Sequence, residues 1–334
     1  MSIIRQGIKI YKQEGIQSLI ERSTQYLIQK LFPKPTVSNH STPRPVWTLK
    51  YLYNAIFTVK YGRGIEVMKE DWDTLILLDA CRYDDFEDLN HLDGNLTAKI
   101  SKGVDSKEFI CRNFVGREFH DTVYVTANPH VSLIGEDVFH DIITEPISNW
   151  DPDVQAVRPK EVTNAGIKAH KKYPNKRIIV HYMQPHDPPL GVTGDALRKE
   201  NDIGGAAPGE NSSNKKRVME LVVEDKIPED TARKAYRETL QIALEEVERL
   251  LDEISGNVVI SADHGEMFGE SPLPLLGDLY EHYQNPKTMN LCRVPWLRVD
   301  TQSNRREITS EESDNKNDFE SEEIDDQLEA LGYK

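Results

Sequence analysis

The residues best suited to chemistry in this chain are Asp263 and His264, which follow the apolar run Val258-Val259-Ile260 and precede Gly265 and Glu266. Asp offers a hard anionic oxygen and His a neutral imidazole nitrogen, a pair that suits Zn²⁺, Mn²⁺ or a related divalent ion. An apolar run that stops at such side chains reads as a buried strand delivering them to the carboxyl edge of a sheet, where open α/β folds place their sites. The same residues also fit a strand-end turn whose Asp caps a helix. A second run, Leu75-Ile76-Leu77-Leu78, ends at Asp79, and a third, Ile178-Ile179-Val180, leads through His181 to Pro185-His186-Asp187-Pro188. Three apolar strands that each end in carboxylates or imidazoles are hard to explain as unrelated caps, and they predict an ion site at one sheet edge.

On these residues the chain resembles the sulfatase-like branch of the alkaline phosphatase superfamily. The resemblance rests on Asp79, the Pro185-His186-x-Pro188 turn, and Ser261-x-Asp263-His264-Gly265-Glu266 with Gly269-Glu270. Val294-Pro295-Trp296-Leu297 and the terminal Leu328-x-x-Leu331-Gly332-Tyr333 add to it, so that it spans residues 70 to 300 and the extreme C-terminus. It implies a metal-dependent hydrolase or transferase of phosphate or sulfate esters that forms a covalent intermediate on a hydroxyl. Asp79, Asp263 and His264 match the ligand positions, and His186 matches the imidazole aimed at the substrate's anionic group. His282, in Tyr280-Glu281-His282, falls where relatives carry a late residue that contacts the reacting group; it reads equally well as a surface histidine in a loop.

The sulfatase pentad Cys/Ser-x-Pro-x-Arg is missing from this chain, so sulfate-ester hydrolysis through formylglycine is not expected. Phosphoryl-transferring relatives instead place an unmodified Thr or Ser after a glycine, where the helix following the second strand begins. Here Gly103-Val104-Asp105-Ser106-Lys107-Glu108 fills that place, with Ser106 as the nucleophile and Ser101 as the reserve. Free N–H groups at a helix start would stabilise an alkoxide and an incoming phosphate. The competing reading makes Ser106 an N-cap. A single acid at the first strand end suggests one divalent ion, Mn, Zn, Mg or Ca; Asp84 or Asp187 could complete a two-ion site.

Arg82 is the expected anion contact beside Asp79, while Cys81 packs beneath the site, with a nucleophilic role as its alternative. Cys111-x5-Arg117 has tyrosine-phosphatase spacing, but Phe114 and Val115 are too bulky for a phosphate cradle, so Cys111 reads as a buried helical thiol. Three Cys with no close-spaced pair argue for a reducing compartment and thus a cytoplasmic protein.

The elements that must position these residues follow from the rest of the chain. Its 334 residues, 38% hydrophobic and 29% charged, suit one large α/β domain with appendages, and a net charge of −15 argues against nucleic acid as a partner. Residues 1–50 carry eight Lys/Arg against two Glu, whereas residues 301–334 carry four Lys/Arg against eleven Asp/Glu. Residues 1–32 read as an amphipathic helix, without the apolar core of about 7–15 residues that marks a signal peptide. It would lie on anionic lipid or pack on the domain or a partner. A Pro-rich linker is expected over 33–46, a helix over Trp47–Val59, and a metal-dependent domain over 47–300. Inside that domain, strands over Thr122–Thr126 and up to His181, helices from Ser106, over Pro159–Lys172 and over Glu229–Ile254, give a mainly parallel sheet flanked by helices, an alkaline-phosphatase-like core. Residues 191–214 read as a flexible substrate lid, and 301–334 as an acidic, partly disordered tail ending in a short helix.

The expectation is therefore a phosphoester hydrolase or transferase acting on a phosphate- or sulfate-bearing glycan or lipid headgroup. A catalytically silent protein that uses the ion to bind such a headgroup is the alternative.

Overall fold

Every residue of Thr74–Asp79 is buried, a pattern open only to an interior strand covered on both faces. The computed structural model describes residues 44–135, 137–201, 203–204, 216–273, 277–283, 285–300 and 305–310. The amphipathic helix expected over 1–32 and the tail helix lie outside them. In chain order the elements are α1 (Arg44–Tyr61), β1 (Thr74–Asp79), α2 (Tyr83–Leu89), β2 (Asn95–Ile100), α3 (Ser106–Asn113), β3 (Phe119–Thr126), β4 (Phe139–Ile143) and α4 (Glu145–Ser148). There follow β5 (Trp150–Asp151), β6 (Ala156–Val157), α5 (Pro159–Lys172), β7 (Arg177–Pro185), α6 (Gly191–Glu200), α7 (Val218–Val223) and α8 (Glu229–Glu253). The last are β8 (Asn257–Ala262), β9 (Phe268–Glu270), β10 (Leu279–Tyr280), α9 (Met289–Cys292) and β11 (Arg293–Asp300).

Seven strands form the main sheet in the order β2-β11-β8-β1-β7-β3-β4. β1 runs parallel to β7 and β8, and β3 runs parallel to β7 and β4. Only β11 opposes its neighbours, β8 and β2. The carboxyl ends of the other six therefore share one edge, as the mainly parallel α/β core expected from the sequence requires.

Alternation along β1 sorts the core into two layers. Ile76 and Leu78 pack with Leu240, Leu244, Val247 and Leu250 of α8 and with Val162 and Ala165 of α5. Leu75 and Leu77 face the other way, against Phe109 and Ile110 of α3, Phe114, Trp72 and Trp296. The apolar spacing of α8 thus becomes a buried stripe along the sheet, as a 3.6-residue period predicts.

Three local readings change. Residues 191–200, expected as part of a flexible lid, form α6 because Glu238 of α8 caps it from outside: its carboxylate accepts the Thr193 N–H at 2.7 Å and the Thr193 hydroxyl at 2.6 Å. A cap supplied from another helix leaves no local signature. Cys111 lies on a helix as expected but is exposed rather than buried. The helix expected from Trp47 begins earlier, at Arg44 within the expected linker.

At the end of β1, Ala80 takes φ +59°, a left-handed turn that is unusual for a residue with a Cβ. Tyr236 of α8 holds it: its hydroxyl donates to Ala80 O at 2.8 Å and accepts the Arg82 N–H at 2.9 Å. Replacing Tyr236 with Phe strands two buried backbone groups, so stability should fall by about 1–3 kcal/mol. Urea unfolding followed by circular dichroism measures this; an unchanged midpoint would remove Tyr236 from the support of the turn.

Candidate active site

The parallel register sets Leu78 opposite Ala262, so the next residues, Asp79 and Asp263, leave neighbouring strands at the same height. Asp263 Oδ1 accepts two backbone N–H groups, from Ala80 at 3.2 Å and His264 at 2.8 Å. That anchors one carboxylate oxygen and leaves Oδ2 to accept the Ser106 hydroxyl at 2.6 Å. Asp79 Oδ2 accepts an N–H of Asn128 Nδ2 at 2.9 Å and lies 3.1 Å from Ser106 Oγ. His264 Nδ1 sits 2.8 Å from Gly265 O, so Nδ1–H donates there and Nε2 is left for ligation, 3.3 Å from Asp79 Oδ1 and 3.4 Å from Ser106 Oγ. Asp79, Ser106, Asp263 and His264 are all fully buried.

Gly265 follows from the same geometry. A Cβ there would stand 2.0 Å from Asn290 O, and its N–H donates to Leu291 O at 2.8 Å. The segment after His264 can lie against α9 only as glycine.

Asp79, Asp263 and His264 present ligand atoms within 4.8 Å of one another. Two oxygens and one imidazole nitrogen fit a divalent ion, and Asp79 Oδ1 has no hydrogen-bond partner among the described residues. Burial alone would lower the His264 pKa, but Asp263 and Asp79 outweigh it and push it up to about 10. Burial likewise acts to raise Asp263, yet the His264 and His181 imidazoles hold it well below the usual carboxylate range. Both shifts say that the carboxylates demand positive charge at this point.

A file of rings leads away from the cluster. His264 and His282 have centroids 4.4 Å apart, His282 and His186 5.2 Å, and His282 and Tyr283 4.0 Å. His186 Nε2 lies 3.2 Å from the Tyr283 hydroxyl. His282 is buried rather than a surface loop histidine, and its Nδ1 lies 3.0 Å from Glu266 Oε2. Burial, with His264 and His186 adding to it, holds His282 well below its usual pKa. Beside these rings opens a pocket lined among others by His186, His282, Arg217, Glu281, Phe268 and Tyr283. Burial pushes Glu266 up to about 7.

The structure thus brings Asp79, Asp263, His264 and Ser106 together and sets His186 and His282 at the adjoining pocket. Arg82 does not join them. Its guanidinium is held by Asp84, Asp85 and Glu270 and donates to Glu266 O, so in place of the expected anion contact it ties α2 to the loop after His264. Asp84 is committed to Arg82 and Arg233, and Asp187 accepts the Val218 N–H at 3.0 Å; neither adds to the ion cluster. Ser101 Oγ donates to Asp263 O and accepts the Gly103 N–H. Cys81 is a buried thiol whose pKa burial raises.

Several site residues carry no motif. Asn128 could have been found as the first polar side chain with an amide after the strand ending at Thr126. His181 lies 3.6 Å from Asp263 Oδ2 and its Nδ1 2.7 Å from the Tyr124 hydroxyl; one residue inside an apolar run, it reads as strand. Tyr283 follows His282, and Glu266 stands in the quoted motif without an assigned role.

No protein-family model matches the chain, and no curated protein does. Solved structures do. The soluble domain of lipooligosaccharide phosphoethanolamine transferase A from Neisseria meningitidis matches at TM-score 0.42 and 11% identity, over 68% of this chain and 76% of that one. The C-terminal periplasmic domain of EcEptC from Escherichia coli, in complex with Zn, matches at TM-score 0.41 and 12% identity, over 69% and 73%. A 2-O GAG sulfatase matches at TM-score 0.41 and 12% identity, over 68% and 63%.

The Arg82 network predicts a pH dependence. Burial acts to raise Asp84, but Arg82 and Arg233 hold it down at about 2. A depressed carboxyl stabilises the fold above its unfolded pKa of about 4 and loses that contribution as pH falls towards 2. Because Asp84 is half exposed, screening leaves about 1 kcal/mol of the effect. Asp84→Asn should cost that amount at pH 7 in denaturant unfolding, with the gap to wild type closing as pH falls below 4. A gap that stays constant with pH would mean the ion pair is not its source.

Proposed function

We propose that this protein is a metal-dependent transferase or hydrolase of phosphate esters, of the sulfatase-like kind, that works through a covalent intermediate on Ser106. The observation that carries the reading is the position of Ser106 Oγ, within 3.4 Å of Asp79, Asp263 and His264 side-chain atoms and at the first residue of α3. Asp79, Asp263 and His264 would hold the divalent ion, which supplies Lewis acidity and lowers the pKa of a nearby hydroxyl.

The chain's own residues do the rest. Asp105, not Ser106, caps α3, its Oδ1 accepting the Glu108 N–H at 2.7 Å. Ser106 is thereby released from the cap role, and its hydroxyl donates into the cluster instead. Asp263 Oδ2 takes that hydrogen bond and aims an oxygen lone pair outward, while the free N–H groups of the helix start favour the anionic group it would attack. Attack forms the Ser106 Oγ–phosphorus bond and breaks the ester bond to the leaving alcohol; water or an acceptor hydroxyl then takes the group from Ser106. His186 and His282 line the pocket beside His264, where they would hydrogen-bond the oxygens of the transferred group. Glu266 orients His282 through Nδ1, which turns Nε2 away from Glu266.

The pocket opens to solvent beside His186 and His282, so the part of a substrate beyond the phosphate can extend outward from it. A phosphate- or sulfate-bearing glycan or lipid-linked substrate belongs to this reading, as does a cytoplasmic protein held at the membrane through residues 1–32.

Two measurements test it. Asp263→Ala should remove most of the bound metal from protein loaded with Mn²⁺ or Zn²⁺, as loss of one ligand from a small set does; unchanged stoichiometry by plasma mass spectrometry would sink the ion site. Ser106→Ala should cut release of p-nitrophenol from aryl phosphate esters or diesters by at least about a thousandfold, the scale of losing a covalent nucleophile, and leave metal content intact. A trapped group found by mass spectrometry on Ser101 or Cys81, or sulfate esters turned over faster than phosphate esters, would overturn the nucleophile or the substrate class.

A further inference from the structure

Five of the seven large apolar side chains exposed among the described residues lie on α1: Tyr51, Leu52, Ile56, Val59 and Tyr61. Leu52 and Ile56 are 55% and 53% exposed, and Val59 is 89% exposed. Their spacing of four and three residues puts them on one face, and Ala55 joins them there. The opposite face is the docked one: Phe57 is buried with Val104, Met267, Leu291 and Cys292, and Asn54 Oδ1 accepts the Lys287 N–H at 2.7 Å. An apolar stripe on the solvent side of a helix already packed on its other side is not explained by the fold.

The position of α1 matters. Val104 precedes the cap of α3, and Met267 is three residues past His264, so α1 covers the segments that carry Ser106 and the ion ligands. Charge indicates the occupant. Residues 44–64 contain Arg44, Lys50, Lys60 and Arg63 and no acidic residue, in a chain of net charge −15; residues 1–50 together carry eight basic residues against two acidic. Lys60 and Arg63 are exposed just past Val59. Among the described residues no helix is long and apolar enough to cross a membrane. Apolar residues along one face, basic residues beside them and a length short of a span are the features of a helix that lies in a bilayer interface.

We infer that the outer face of α1, through Leu52, Ile56 and Val59, docks on a bilayer surface rich in anionic lipid and holds the Ser106 edge of the sheet against it. This contact is separate from the one expected of residues 1–32. That the docked site acts on a headgroup in the same bilayer rests on the function proposed above; the docking itself does not.

The test uses the full-length chain and vesicles of phosphatidylglycerol and phosphatidylcholine. The double variant Leu52→Glu/Ile56→Glu should lower the vesicle-bound fraction at least tenfold in cosedimentation, with melting midpoint and gel-filtration mass as in wild type. Wild-type binding should weaken in high salt and on pure phosphatidylcholine. Val59→Trp should show blue-shifted emission on vesicles and quenching by brominated lipid. Ser106→Ala should bind as wild type, so failure of the proposed chemistry would not be mistaken for failure of docking. Wild-type binding by the double variant, with no emission shift in Val59→Trp, would overturn the inference. So would a double variant that changes oligomeric mass or melting midpoint but not vesicle binding, since the face would then be covered by a second copy or by residues 1–32.

Discussion

Two carboxylates buried side by side are the constraint on which the site depends. Asp79 and Asp263 are fully buried, with ligand atoms within 4.8 Å. At an effective dielectric of about 20, two unit charges at that distance repel by roughly 3 kcal/mol. Hydrogen bonds from Ser106 and Asn128 return about 1 kcal/mol each and add no charge. Only a cation balances the pair. His264 supplies one by holding a proton, and a divalent ion would supply a larger one on the same atoms. The surrounding structure can be read as the apparatus that keeps the pair together: β1 and β8 in register, the Ala80 turn pinned by Tyr236, and Gly265 allowing the next segment to close over His264.

The site and the pocket divide along that line. At the ion ligands every group is buried, and Asp263 is anchored by two backbone N–H donors. Beyond His264, contact passes from ring to ring, and charges are paired across elements, as with Arg217 Nη1 and Glu281 Oε2 at 3.0 Å. Glu281 is buried and its carboxyl is raised despite Arg217. Burial raises the Glu266 and Glu281 carboxyls, which weakens the negative charge a phosphate would meet there.

How much of this was readable beforehand follows from how each residue is held. Asp79, Asp263 and His264 stand at the ends of apolar runs, and an apolar run that stops at a ligand is visible in one dimension. Ser106 was visible only through a glycine and a helix start, and its separation from an N-cap role required seeing that Asp105 fills that role. Arg82 was misplaced because its neighbours in space, Asp85, Glu270 and Arg233 beside them, come from three elements. Likewise the cap that makes α6 a helix comes from Glu238, so its Gly-containing sequence reads as a loop. Alternation and period disclose which face is buried; they do not disclose what a polar side chain meets across the fold.

The strand order has a consequence in time. β1, the centre of the sheet, pairs only with β7 and β8, and the Ala80–Asp263 hydrogen bond joins residues 183 positions apart. At ribosomal speeds of about 5–20 residues per second, Asp79 leaves the ribosome on the order of ten to forty seconds before Asp263 exists. Until β7 is made Leu75–Leu78 is an unpaired apolar strand, and its other edge stays open until β8 follows, the kind of segment that associates with other chains. Long-range closure of this sort is also slow for entropic reasons. The nascent chain therefore lacks one flank of its central strand, and a place for an ion, until β8 and His264 are made.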